Sequence, residues 1–247
     1  ENFCQNQKTV GYSMNGGWAE YYCTPANLLL RIPDNVSFEE AAMTEPLNVV
    51  CQALFIKEGV RHGDVVLVQG CGTIGMLCAM VAKALGAKTV IITGVDADEE
   101  LRLPIARNIE AIDHVINVSR TNLKDEIMRI TDGRGVDVIV EASGSDIAIA
   151  NMYEVLKMTG TVVVLGETSK PVNLDWNQFL FKACTFKFSF GEVYEAWVKA
   201  LELMGSKKLE LEKLVTHKLP LSKFREGFDL LDQKKGLKVL LIPDEND

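Results

Sequence analysis

Two runs of apolar residues set the reading frame of the chain. Residues 64–69 (DVVLVQ) and 88–93 (KTVIIT) are brief, rich in Val and Ile, and apolar on both faces. That pattern suits strands buried on both sides rather than helices. Between them, residues 76–85 carry small and apolar side chains on every face, as a buried helix does. The alternation continues on both sides of this unit. It predicts helices over residues 49–56, 101–108, 122–131 and 147–156, and further strands over 115–118, 136–140, 160–165 and 185–190. Pro104 falls early in its helix, where proline is tolerated. Strands alternating with helices of this length predict an α/β fold with a doubly wound parallel sheet. Right-handed crossovers place the loops at the strand carboxyl ends on one side. Residues 70–75, 94–96, 142–144 and 165–166 are therefore expected to line one groove.

The flanks follow a different rhythm. Residues 16–22 (GGWAEYY) alternate like a strand, and residues 28–32 form a short apolar stretch. Ser37 with Glu40 makes a capping box, and the helix that it starts is expected to run through Met43 and break at Pro46. Beyond residue 190 the pattern predicts helices over 194–204 and 224–231, and strands over 214–219 and 238–242. Residues 1–46 are too few to close a core of their own. We expect them to pack with residues 191–247 as an incomplete, mainly β domain, around an α/β domain of residues 47–190.

The chemistry begins at Gly70-Cys71-Gly72-Thr73-Ile74-Gly75. G-x-G-x-x-G alone is a weak signal, since a glycine-rich turn can be purely structural. Here it has the required setting, a strand before and a helix after. Gly70 permits the tight turn, Gly72 lets the backbone approach a pyrophosphate, and Gly75 allows close helix–sheet packing. Phosphates would sit on the unpaired N–H groups and positive dipole end of the helix, at Thr73, Ile74 and Gly75. A dinucleotide is the expected ligand.

Composition narrows the class. A net charge of −8 disfavours partnership with nucleic acid or acidic membranes. No apolar run reaches the roughly 18 residues of a membrane span. The six cysteines are scattered without C-x-x-C spacing, which suits a reducing cytoplasm better than a disulfide framework. His62, His114 and His217 pair with no other His or Cys at metal-ligand spacing and read as structural or surface residues. Lys207-Lys208 and Lys234-Lys235 read as solvated turns. Phe179, Phe181, Phe186, Phe188 and Phe190 read as core or subunit-interface side chains.

Together the motifs carry a family likeness. Gly16-Gly17-Trp18-Ala19-Glu20-Tyr21, Glu45-Pro46, the glycine fingerprint, Gly133-x-Gly135-x-Asp137, Glu141-Ala142-Ser143-Gly144 and Gly236-Leu237-Lys238-Val239 resemble the medium-chain zinc-dependent alcohol dehydrogenases. Glu45-Pro46-Leu47, Asp175-Trp176, Phe181-Lys182 and Val215-Thr216-His217 resemble the branch of sorbitol and threonine dehydrogenases. The resemblance covers essentially the whole chain. It implies a Rossmann domain inserted in a GroES-like catalytic domain, zinc and NAD or NADP as cofactors, and a homodimer or homotetramer. Glu45 would lie at the catalytic zinc, as ligand or as partner of its water, and Cys4 would match one of four cysteines holding a structural zinc. Ser143, Gly144, Leu165 and Gly166 would flank the cofactor. The family's Cys and His zinc ligands and its Ser/Thr–His proton relay are not found in these residues, so the chain is expected to be a C-terminal portion, inactive alone.

The resemblance implies hydride transfer between a small secondary alcohol and the nicotinamide, with a polyol such as sorbitol as the leading substrate and L-threonine as the runner-up. A zinc-independent quinone or enone reductase and a non-catalytic nucleotide-binding module remain the alternatives. The choice between NAD and NADP stays open. The acid that binds the ribose hydroxyls is expected about 20 residues beyond the fingerprint, and by family register Gly94 falls at that position. A missing carboxylate leaves room for a 2′-phosphate, which Arg102 would pair. Against that, Asp96, Asp98, Glu99 and Glu100 crowd the loop, and Asp96 is itself a candidate for the ribose.

Overall fold

The computed structural model describes residues 3–244. Its centre is a six-stranded, wholly parallel sheet in the order β3-β2-β1-β4-β5-β6. The strands are β1 (Val65–Gln69), β2 (Thr89–Gly94), β3 (His114–Asn117), β4 (Val136–Glu141), β5 (Leu156–Val164) and β6 (Thr185–Phe188). This is the Rossmann order, with its reversal of direction between β1 and β4. The unbroken apolar runs follow from burial on both faces. Val66 and Val68 of β1 enter one core, shared with Leu47, Val50, Met76 and Ala200. Val65 and Leu67 enter the other, with Ile127, Met152 and Phe179. Helices Thr44–Cys51, Thr73–Ala84 and Tyr194–Gly205 cover the first face, and Leu123–Ile130 and Met152–Val155 the second.

Four local expectations need correction. Pro46 does not end a helix: it lies in the first turn of Thr44–Cys51, after a short helix Phe38–Ala41. The first turn needs no intrahelical N–H, so proline is accepted there. The Thr44–Cys51 helix then widens into a π turn over Gln52–Ile56. The helix expected over residues 147–156 is split into Asp146–Ala150 and Met152–Val155, and Leu156 already belongs to β5. Finally, residues 16–22 form no strand. Alternation makes a ladder only where a partner strand supplies the hydrogen bonds, and in the described N-terminal stretch the sole β-bridge is Val10 with Met14.

The two ends of the chain meet. The Ser37–Glu40 capping box forms in both directions, Glu40 pairs with Lys207, Glu39 with Lys218, and the Asn35 amide donates to the Gly205 carbonyl. Trp18 rests edge-on against Phe228, with ring centroids 5.6 Å apart. The C-terminal segment folds as two parallel strands, β7 (Val215–Pro220) and β8 (Lys238–Ile242), with helix Phe224–Asp232 packed on them. The Thr73 hydroxyl donates to the Leu237 carbonyl at 2.9 Å, tying this segment to the start of the fingerprint helix.

Candidate dinucleotide groove

At the switch point between β1 and β4 lies a groove of about 750 Å³. Gly70 turns the chain out of β1 at φ +101°. Gly75 presses the helix onto the strand so closely that a Cβ there would lie 1.9 Å from the Gly70 carbonyl oxygen. Gly72, the N-cap of the twelve-residue helix Thr73–Ala84, is different. Its φ is −76°, which any residue adopts, and an added Cβ would meet no protein atom within 4 Å. Nothing inside the protein demands glycine at 72, and its bare backbone faces the groove. No side chain caps this helix, so its first N–H groups and its positive dipole end are available to an anion.

The wall beyond β2 is built from residues that the sequence left unsorted. Gly94 lines the groove, and an added Cβ there would collide with Cys71 Sγ at 2.6 Å. Asp96 does not line it. Its carboxylate is turned to Arg120 at 2.6 Å and to the Asn117 amide at 2.8 Å. The acid in the wall is Asp98, two residues on and only 7% exposed. Asp98 Oδ2 accepts from the Val95 N–H. Oδ1 lies 3.5 Å from Arg102 Nη1 and 3.7 Å from Lys234 Nζ, both beyond hydrogen-bond geometry. Lys234, read from sequence as a solvated turn, reaches this wall from the C-terminal segment. Burial, reinforced by the Asp98 carboxylate, pushes the Cys71 thiol up to about 12.

The opposite wall is set by Glu141 at the end of β4. Fully buried, it accepts on Oε1 from the N–H groups of Ser143 and Gly144 and from the Ser143 hydroxyl. Its backbone carbonyl takes the N–H groups of Leu165 and Gly166, locking the ends of β4 and β5 together. Ser143 faces the groove. Leu165 and Ile74 are instead packed against the core. A Cβ on Gly166 would lie 2.2 Å from Glu141 Oε2, so this glycine makes room for the buried carboxylate.

Glu45 stands exposed in the first turn of Thr44–Cys51, away from the groove wall. Burial raises the pKa of Glu192, and the Glu45 carboxylate raises it further. Burial lowers the pKa of Lys238, and Glu45 acts against that. Cys4 is exposed. Among the described residues no three His, Cys, Asp or Glu side chains come together as a metal site. The residues described do not by themselves fit a zinc ion.

Comparison with known proteins agrees with this geometry. A family model described as zinc-binding dehydrogenase matches residues 73–206. An L-threonine 3-dehydrogenase from Yersinia pseudotuberculosis is 36% identical over 242 residues, covering 97% of this chain and 69% of its own. Among solved structures, an alcohol dehydrogenase from Thermus sp. ATN1 superposes with a TM-score of 0.83 at 30% identity, over 94% of this chain and 68% of that one. The 2R,3R-butanediol dehydrogenase from Bacillus subtilis gives a TM-score of 0.88 at 28% identity, over 98% and 69%. The chain belongs to the zinc-binding dehydrogenases, of the medium-chain alcohol dehydrogenase type. It is the chain of an oxidoreductase.

Proposed function

We propose that this chain carries the dinucleotide site of an NAD(P)-dependent dehydrogenase acting on a secondary alcohol whose neighbouring carbon bears a polar group. The single observation that carries the nucleotide part is Gly72, a glycine that no protein contact requires, at the uncapped start of a buried helix. The pyrophosphate would lie on Gly72 and the N–H groups of Thr73, Ile74 and Gly75, with Ser143 and Gly144 on the far wall. The bound nicotinamide supplies the hydride acceptor. The chain's own residues orient it: Gly70 and Gly75 fix the loop, and Glu141 holds the 143–144 turn against it.

A polyol such as sorbitol is the leading substrate, on the motifs around Glu45-Pro46-Leu47. L-threonine is a second reading, favoured by the 36% identity to an L-threonine 3-dehydrogenase. Both present a secondary hydroxyl beside a polar-substituted carbon. Glu45 is the residue we assign to the catalytic zinc, and Cys4 to a structural zinc. Because the described residues gather no three metal ligands, we expect the 247-residue chain to bind cofactor without turning over alcohol. Domain boundaries at 46/47 and 190/191, a cytoplasmic setting consistent with six unpaired cysteines, and a homo-oligomer complete the reading.

Incubating the chain with zinc, NAD or NADP and a panel of sorbitol, 2,3-butanediol and L-threonine, while following absorbance of the reduced nicotinamide, tests it. Cofactor binding without reduction is expected. Steady zinc-dependent reduction would refute the inactivity of this chain, and no binding of either nucleotide would refute the site.

A further inference from the structure

The groove wall beyond β2 contains two buried polar atoms without hydrogen-bond partners, one of each kind. Asp98 Oδ1 is an acceptor and Arg102 Nε is a donor. Buried groups of this sort are destabilising while unsatisfied, so their survival in one wall calls for a ligand group that serves both. A hydroxyl does so, donating its hydrogen to the carboxylate and accepting from the guanidinium. A phosphate monoester brings acceptors only and would leave Asp98 Oδ1 unpaired.

Charge leads to the same result. Arg102 Nη1 and Lys234 Nζ both face Asp98 Oδ1, at 3.5 and 3.7 Å. The two cations are already drawn by charge, without hydrogen bonds, to a carboxylate that is 7% exposed. A 2′-phosphate, carrying about −1.5 to −2 charges at neutral pH, would have to share them with that fixed anion at close range.

The missing side chain at Gly94 completes the picture. Cys71 Sγ fills the space that a Cβ at 94 would take, and the Asp98 carboxylate lies close enough to Cys71 to raise its pKa. The acid that β2 lacks at its end is therefore supplied to the same corner from the turn Asp96–Asp98.

We propose that Asp98 is the ribose acceptor of this chain, taking the adenosine 2′-hydroxyl and selecting NAD over NADP, with Arg102 and Lys234 as positioning residues that hold it in place. This rests on the dinucleotide reading of the groove. The test is calorimetric titration of the 247-residue chain with NAD, NADP and 2′-deoxy-NAD, and then of Asp98→Asn. NAD is expected to bind at least tenfold more tightly than either of the other two, the scale of one hydrogen bond to a charged group. In Asp98→Asn the NAD-to-NADP ratio should fall at least tenfold, because NAD loses its acceptor and Arg102 and Lys234 are freed for a phosphate. NADP binding as tightly as NAD, or 2′-deoxy-NAD matching NAD, would overturn the inference while leaving the groove a dinucleotide site. Failure of all three ligands on a cooperatively melting protein would overturn both. Should Asp98→Asn not fold, the three-ligand series on the unaltered chain decides by itself.

Discussion

A Cβ placed on Gly75 would sit 1.9 Å from the carbonyl oxygen of Gly70. The two ends of the fingerprint thus hold each other, and the obstacle is backbone that cannot swing away. Gly75→Ala must push the helix Thr73–Ala84 off β1. That should cost about 3 kcal/mol, as overpacking a tight core does, with nucleotide binding lost in parallel. Urea unfolding with and without NAD would measure both. Gly72→Ala is the contrasting variant: it should fold as well as the parent and bind NAD at least tenfold more weakly, because its methyl group enters only the open groove.

Asp137 makes folding sensitive to acid. Its Oδ2 accepts from the Val65 N–H at 2.7 Å and its Oδ1 pairs with Lys157, joining β4 to the start of β1. Burial works to raise its pKa, but Lys157 and the Val65 N–H outweigh it and hold the folded value below the ordinary 3.8. A lowered folded pKa means that the contribution is complete above the unfolded value and disappears as pH falls through the folded one. Asp137→Ala should therefore lose about 1.5 kcal/mol at pH 7, with the gap narrowing below about pH 4. Thermal melts of both proteins from pH 2 to 7 would show convergence on the acid side.

The cysteines should divide by burial. Cys4 and Cys23 are exposed, Cys184 is partly covered, and Cys51, Cys71 and Cys78 are buried. Burial pushes Cys51 and Cys71 up to about 12 and raises Cys78 and Cys184 as well, so the reactive thiolate is scarce there at neutral pH. Ellman titration of the native chain should register two fast thiols, a slower third and the remainder only in denaturant. Protection of Cys71 should increase with bound NAD, since its residue lines the groove.

One edge of the sheet invites a second copy. β6 is the terminal strand, and Phe188 and Phe190 beside it are 67% and 73% exposed, with Trp176 and Phe181 similarly bare. An unprotected apolar edge of this kind pairs readily. We expect a homodimer through residues 172–190, and Phe188→Glu should shift it to monomer. Light scattering at micromolar concentration would report the mass, and a monomeric parent would refute the edge as an interface.

The phenylalanine spacing illustrates how far sequence reached. Phe179 and Phe181, and Phe186, Phe188 and Phe190, read only as core or interface, and the structure separates them by burial: Phe179 is buried against Tyr153 and Phe186, while Phe188 lies open. The alternation of residues 16–22 failed as a strand signal because a period of two records a preference, whereas a strand needs a partner. Pro46 was misplaced because a proline that ends one helix and one that opens the next are locally identical.

The sequence alone determined the parallel sheet, the fingerprint turn and the capping box, since each follows from period, glycine sterics or side-chain hydrogen bonding within a few residues. It offered Asp96 as the acid for the ribose, and only the fold shows that Asp96 turns to Asn117 and Arg120 while Asp98 turns inward. It gave no hint of Lys234, which reaches Asp98 across 136 positions of chain. That meeting exists only because the C-terminal segment folds back onto the Thr73–Ala84 helix through the Thr73 and Leu237 contact. Local chemistry specified the groove, and long-range packing decided which charges face into it.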